Sequence, residues 1–300
     1  MLVAAPDSRV LKVILGQLFS ESGVLSAIAL TSTGFFPDEP IRQPMMDLLA
    51  NLGPSERAAY YVSWREPLFH DHWRDIIRIA MSYLRPETTK KTGPALQMLG
   101  AILHNPNAHW PVDPKVTAWG DKEVLRVAPR IVAYGRSEAR HALALYLANI
   151  KTDPSRELLW ELVKRPEHEQ ALICLTWIGD PRDLPLLGEI LIAPGNPDPY
   201  GRELASLPYG LMRGYGDRAI PALEKALADS PYPFVRTNCA EELALRGRPA
   251  AFRFFLDGVE NDRFYKAELV NWLRDHFPRE VPRAADEVTV ISFLKSRLQP

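Results

Sequence analysis

Cysteine is almost missing from this chain, with two residues in 300. Cys174 and Cys239 lie inside the apolar helical runs "ALICLTWIG" and "NCAEELALRG", where a small thiol packs well. This argues against a disulfide framework and against a cysteine-rich metal site. Long hydrophobic runs are lacking too, so a transmembrane segment is not expected. The only stretch resembling the core of a secretion signal, "VLSAIAL", is short, follows Glu21 and Ser22, and has no basic segment immediately before it. A cytoplasmic protein without a membrane partner is expected.

An excess of either charge is also absent. Net charge is −1, with 16 Lys/Arg against 14 Asp/Glu in residues 1–150 and 20 against 23 in residues 151–300. That balance argues against nucleic acid as a partner, because phosphate contacts need a basic surface. No G-x-S-x-G elbow, P-loop or G-x-G-x-x-G is present, and neither cysteine has an evident activating neighbour. The remaining composition, 46% hydrophobic and 24% charged, suits a globular chain with one extended core or two compact ones.

From about Val124 onward, apolar residues recur at helical spacing, punctuated by Gly, Pro and Asp every dozen or so residues. The spacing predicts paired helices: 124–134 with 138–150, 154–164 with 167–178, 184–192 with 200–215, 218–228 with 234–246, and 249–259 with 263–277. One phrase recurs. "YGDRAIPALEKALADS" begins at Tyr215, and a looser copy, "IGDPRDLPLLGEILIA", begins at Ile178. Gly179, Gly216 and Gly247, each closing a second helix, are spaced by 37 and 31 residues, and the longer interval holds the insert "APGNPDPYG". Repetition at such periods marks a stack of units that cannot bury their apolar faces alone.

Residues 216–247, "GDRAIPALEKALADSPYPFVRTNCAEELALRG", resemble a HEAT repeat of the bacterial HEAT-like kind also found in bilin lyases and deoxyhypusine hydroxylase. The matching positions are Gly216-Asp217, Ile220-Pro221, Leu223, Leu227, Val235-Arg236, Ala240, Leu243 and Gly247. The resemblance implies a helix-bending proline, here Pro221, and a basic residue near the start of the second helix, here Arg236, that ties adjacent elements together. Counting eleven residues back from the end of each second helix gives Arg140, His168, Ala205, Arg236 and Lys266. The expected fold is therefore all-α, a right-handed α-α superhelix of HEAT-like helical hairpins. Its parts are an N-terminal helical portion (1–104), a Pro/Trp-containing connecting loop (105–120), five HEAT-like repeats (121–277) and a C-terminal capping helix (278–300).

Three clusters offer chemistry, and each has a plainer explanation. "FHDHWRD" carries His70, His72, Asp71 and Asp75, but residues two apart point in different directions on a helix, and Asp71 suits a helix cap. In deoxyhypusine hydroxylase, paired His-Glu motifs hold two irons. Here only His168-Glu169 matches, since the neighbouring units offer Arg140-His141 and Arg236-Thr237. "YYVSWREPLF" could form an aromatic recognition surface, although Tyr60 and Trp64 share one helical face suited to a core.

The sequence thus points to a non-catalytic scaffold without cofactor or metal, binding an extended segment of another protein on a concave face. Arg140, Arg202, Arg213 and Arg236 are candidate polar contacts, with Trp110, Trp119 and Tyr200, carried on the two Pro-rich inserts, as rim anchors. For Arg140 and Arg236 the alternative is a purely structural tie. The alternative function is a HEAT-like enzyme, either a metal-dependent hydroxylase or a DNA glycosylase.

Overall fold

A computed structural model describes residues 77–78, 80–84, 89–104, 113–165, 169–195, 198–261 and 266–298, and among them every regular element is a helix. The chain forms two compact units, 1–174 and 175–300. In the first unit lie α1 (Thr89–Leu103), α2 (Pro114–Tyr134), α3 (Ser137–Ile150) and α4 (Asp153–Val163). Helix α5 (Glu169–Ile178) contains the division at Cys174/Leu175. The second unit continues with α6 (Leu184–Ile192), α7 (Leu207–Tyr215), α8 (Ile220–Asp229), α9 (Pro233–Ala244), α10 (Pro249–Asn261), α11 (Lys266–His276) and α12 (Glu287–Ser296).

Helix starts follow local chemistry. Asp113 accepts the Lys115 amide at 2.9 Å, and Pro114 occupies the first helical position, where no amide donor is needed. At α4, the Thr152 amide donates to Ser155 Oγ at 2.9 Å, while Ser155 Oγ donates to the Thr152 carbonyl at 2.8 Å. Asp286 opens α12 by accepting both the amide and the hydroxyl of Thr289.

The Asp-Pro start corrects one expectation. The segment "DPKVTAWG" reads as loop because of its breakers, yet Asp113 and Pro114 are start signals rather than interruptions. Helix α2 begins ten residues before Val124, so Trp119 rides on a helix and not on a connecting loop. The expected helix at 200–215 is divided as well. A 3-10 turn at Arg202–Leu204 precedes α7, which begins with Pro208 in its first turn.

Helices pack on neighbours two places along the chain as well as on the next one. In the first unit α1 packs on α3 and α2 on α4. Leu96, Leu99 and Ile102 of α1, with Leu143, Tyr146 and Leu147 of α3, are buried in this core. In the second unit α6 packs on α8, α7 on α9 and α10 on α12. Close contact between α6 and α8 relies on small residues, since a Cβ on Gly188 would meet Ala222 Cβ at 3.1 Å.

Gly179, Gly216 and Gly247 all take positive φ, +69°, +57° and +68°, although Gly216, with ψ of −141°, lies outside the left-handed helical region. A left-handed residue past a helix end lets the chain reverse without a Cβ clash. Pro221 lies in the first turn of α8, directly after the 3-10 turn Gly216–Ala219, at the junction of the two helical geometries.

The final helix covers apolar surface, as its amphipathic pattern requires. Phe293 of α12 meets Phe252 of α10 edge-on at 6.1 Å and lies 5.3 Å from Phe277. Trp272 stacks between Phe255 and His276, at 5.0 and 4.3 Å.

Candidate functional site

Two of the candidate arginines are tied into the fold. Arg140, near the start of α3, donates from Nη1 to the Gly135 carbonyl at 2.8 Å. Arg236, near the start of α9, donates from Nε to the Leu227 carbonyl at 3.1 Å. In both hairpins the second helix thus reaches back to a carbonyl near the C-terminal end of the first, where the helix dipole favours a cation. Arg236 also lies over the Phe254 ring at 5.5 Å, joining α9 to α10. Lys266, at the corresponding place in α11, pairs with Glu287 of α12 at 2.6 Å.

The Pro-rich insert folds back onto the second unit. Asp198 accepts the amides of Tyr200 and Arg202 at 3.1 and 2.6 Å, making a tight local turn. The Tyr200 carbonyl accepts the Phe234 amide, and the two rings meet edge-on at 6.4 Å. Tyr232 OH and Ser230 Oγ donate to the carbonyls of Ala193 and Leu191, anchoring the beginning of the insert. Arg202 lies over both Tyr200 and Phe234, at 5.4 and 5.8 Å. Tyr200 keeps 47% of its surface exposed, so this Tyr-Arg-Phe group is anchored and accessible together.

Arg213 belongs to a different arrangement. It lines an open groove of about 410 Å³ with Trp177, Ile178, Gly179 and Gly214. Helices α5 and α7 approach so closely here that a Cβ on Gly214 would lie 2.0 Å from the Thr176 carbonyl oxygen. Tyr215 OH donates to the Asp180 carbonyl at 3.1 Å, fixing the end of α7 against the turn after α5. Trp177, 42% exposed, supplies an aromatic face, and Arg213 supplies a forked donor. Tyr209 stands exposed one helical turn before Arg213.

Trp119 is 46% exposed on α2. Trp110, His168, the "FHDHWRD" cluster with His70, Asp71, His72 and Asp75, and the aromatic segment with Tyr60 and Trp64 lie outside the described residues.

The structure adds a polar cluster that has no local sequence signature. Asp121 Oδ1 meets His104 Nε2 at 2.8 Å and accepts the Tyr146 hydroxyl at 2.9 Å, joining α1, α2 and α3. The His104 and Tyr146 rings meet edge-on at 5.2 Å. Burial, reinforced by the Asp121 charge and its hydrogen bond, pushes the Tyr146 phenol far above its ordinary pKa. The three residues are 17 and 25 positions apart, so only the packing of the helices unites them. Among the described residues, no group of three or more His, Cys, Asp or Glu is arranged to hold a metal ion. None of their helices is long and apolar enough to cross a membrane.

No family model, curated protein or solved structure matches the chain. Its function must be argued from its own surface.

Proposed function

We propose that this chain is a non-catalytic recognition scaffold, a right-handed solenoid of HEAT-like hairpins that holds an extended segment of another protein. The observation that carries this reading is the stacking order. First helices α6 and α8 pack together, second helices α7 and α9 do likewise, and Gly179, Gly216 and Gly247 all take positive φ. A repeating hairpin with these contacts presents second-helix side chains at regular intervals, which suits an extended partner better than a small substrate. Arg213 with Trp177, and Arg202 with Tyr200, are the aromatic-guanidinium pairs that such a segment would engage. Arg140 and Arg236 are assigned to the scaffold itself because their donors are used inside hairpins.

Two measurements test the two halves of the proposal. Small-angle scattering should give a radius of gyration clearly above the roughly 19 Å of a compact 300-residue domain; a value near 19 Å rejects the solenoid. Proteins retained from a source-cell extract should be compared between the native chain and a variant carrying Trp177→Ala, Arg202→Glu and Arg213→Glu. Selective loss of one retained protein, reproduced with purified components, is expected. Unchanged retention removes these pairs from the interface.

A further inference from the structure

The groove between α5 and α7 has a definite charge as well as a shape. Among the described residues, its lining of Trp177, Ile178, Gly179, Arg213 and Gly214 holds one cation and no carboxylate. Arg213 is exposed and makes no hydrogen bond or ion pair with any described residue. Asp180, the carboxylate next to the lining in sequence, is already engaged, because Arg182 donates from Nε to its two oxygens at 2.9 and 3.0 Å. The aromatic wall is equally uncovered, with Trp177 42% exposed and Tyr209 57% exposed one turn before Arg213 on α7. Gly179 and Gly214 contribute bare backbone, so a bound chain can come close here without meeting a side chain.

We propose, resting on the scaffold reading, that this groove recognises an acidic extended segment in which an aspartate or glutamate lies close to an aromatic residue. The segment's carboxylate would meet the Arg213 guanidinium, whose planar fork matches two carboxylate oxygens. Its ring would cover Trp177, exchanging hydrated apolar surface for aromatic contact. A basic segment would repel Arg213, and a neutral one would strip water from the guanidinium without supplying a carboxylate. Nucleic acid fits less well, because the single cation of the lining answers few phosphates.

The test is selection of a displayed random-peptide library on the purified full chain. Enriched peptides should carry Asp or Glu beside Phe, Tyr or Trp. For one enriched peptide, followed by fluorescence anisotropy, replacing its acidic residue with the amide should weaken binding about tenfold, the scale of a charged hydrogen bond. Arg213→Glu should weaken it at least as much, and the same peptide with lysine at the acidic position should regain about tenfold on that variant. Loss of fold cannot produce such a reversal. Trp177→Ala should weaken binding about tenfold with the charge pair intact. Enrichment of basic or uncharged peptides that still require Trp177 would overturn the acidic assignment and leave the scaffold reading in place. No enrichment, undiminished binding by both variants, or equal affinity for single-stranded oligothymidylate would overturn the proposal, and scattering then decides the solenoid separately.

Discussion

Gly214 of α7 faces the Thr176 carbonyl of α5 with no room for a side chain, since an added Cβ would stand 2.0 Å from that oxygen. The obstacle is backbone, so no rotamer change relieves it. Gly214→Ala should therefore destabilise the fold by about 1 to 3 kcal/mol, the usual cost of overpacking, although alanine is the better helix former. Chemical denaturation of both proteins measures this. Equal midpoints would show that the two helices do not approach as described.

Arg236 makes a second kind of contact, a hydrogen bond within its hairpin and a ring contact to the next helix. Arg236→Ala should cost about 1 to 2 kcal/mol, a value between a neutral hydrogen bond and a charged one. Arg140→Ala should cost a similar amount through loss of its bond to Gly135. A surface arginine whose only role is partner contact would change stability by less than about 0.5 kcal/mol. Urea midpoints distinguish these cases, and values within that smaller range would return both residues to the candidate interface.

The legible part of the fold was what local chemistry controls. Helical spacing predicts α6, α8 and α9 to within about two residues of their observed ends. Glycine spacing marks three positions that share positive φ, because only a residue without a Cβ enters that state freely. Asp113-Pro114 was misread because the same residues that break a helix also begin one, and the difference depends on which side the apolar pattern continues. The candidate sites were less legible. Trp177 belongs to an apolar helical run and reaches the groove only because Gly179 and Gly214 bring α5 and α7 together. Asp121, His104 and Tyr146 meet only through packing.

Both thiols should be silent in the native protein. Burial pushes Cys174 up to about 12, against a smaller opposing effect of the Gln170 hydrogen bond, and Cys239 is likewise raised by burial and by the nearby Glu242 charge. At pH 8 the native Cys174 thiolate is then about one in ten thousand. Labelling with a chromogenic disulfide reagent should wait for opening of the helices and accelerate with denaturant. Immediate stoichiometric labelling in native buffer would contradict the buried placement.

Glu241 and Glu242 of α9 give a pH dependence of definite sign. Burial raises both above the ordinary glutamate value of 4.5, opposed for Glu241 by His276 and for Glu242 by Arg246 and His276. The folded state therefore holds these protons more tightly than the unfolded chain. Their contribution to stability is present below about pH 4.5 and is lost as pH rises through the higher folded values. Glutamine resembles the protonated form, so the double replacement Glu241→Gln, Glu242→Gln should melt higher than the native chain at pH 7. The gain should vanish near pH 4. A gain of equal size at both pH values would mean that packing, not ionisation, is responsible.

Tyr146 extends the same reasoning to alkaline pH and to the polar cluster in the first unit. Its hydroxyl donates to Asp121, and ionisation would place a phenolate beside a carboxylate in a buried site, so its folded pKa lies far above the ordinary 10. The stabilisation linked to this proton is complete below pH 10 and is lost progressively as pH rises, because the unfolded tyrosine ionises first. Tyr146→Phe keeps the ring against His104 and removes the donor, which should cost about 1 to 2 kcal/mol at pH 7. It should also flatten the decline in stability between about pH 10 and 11.5, the range in which an ordinary tyrosine ionises. The comparison is made against the native chain, so alkaline effects of the two buried thiols cancel. A Tyr146→Phe protein that declines as steeply as the native one would show that the phenol is not the group coupling folding to alkaline pH.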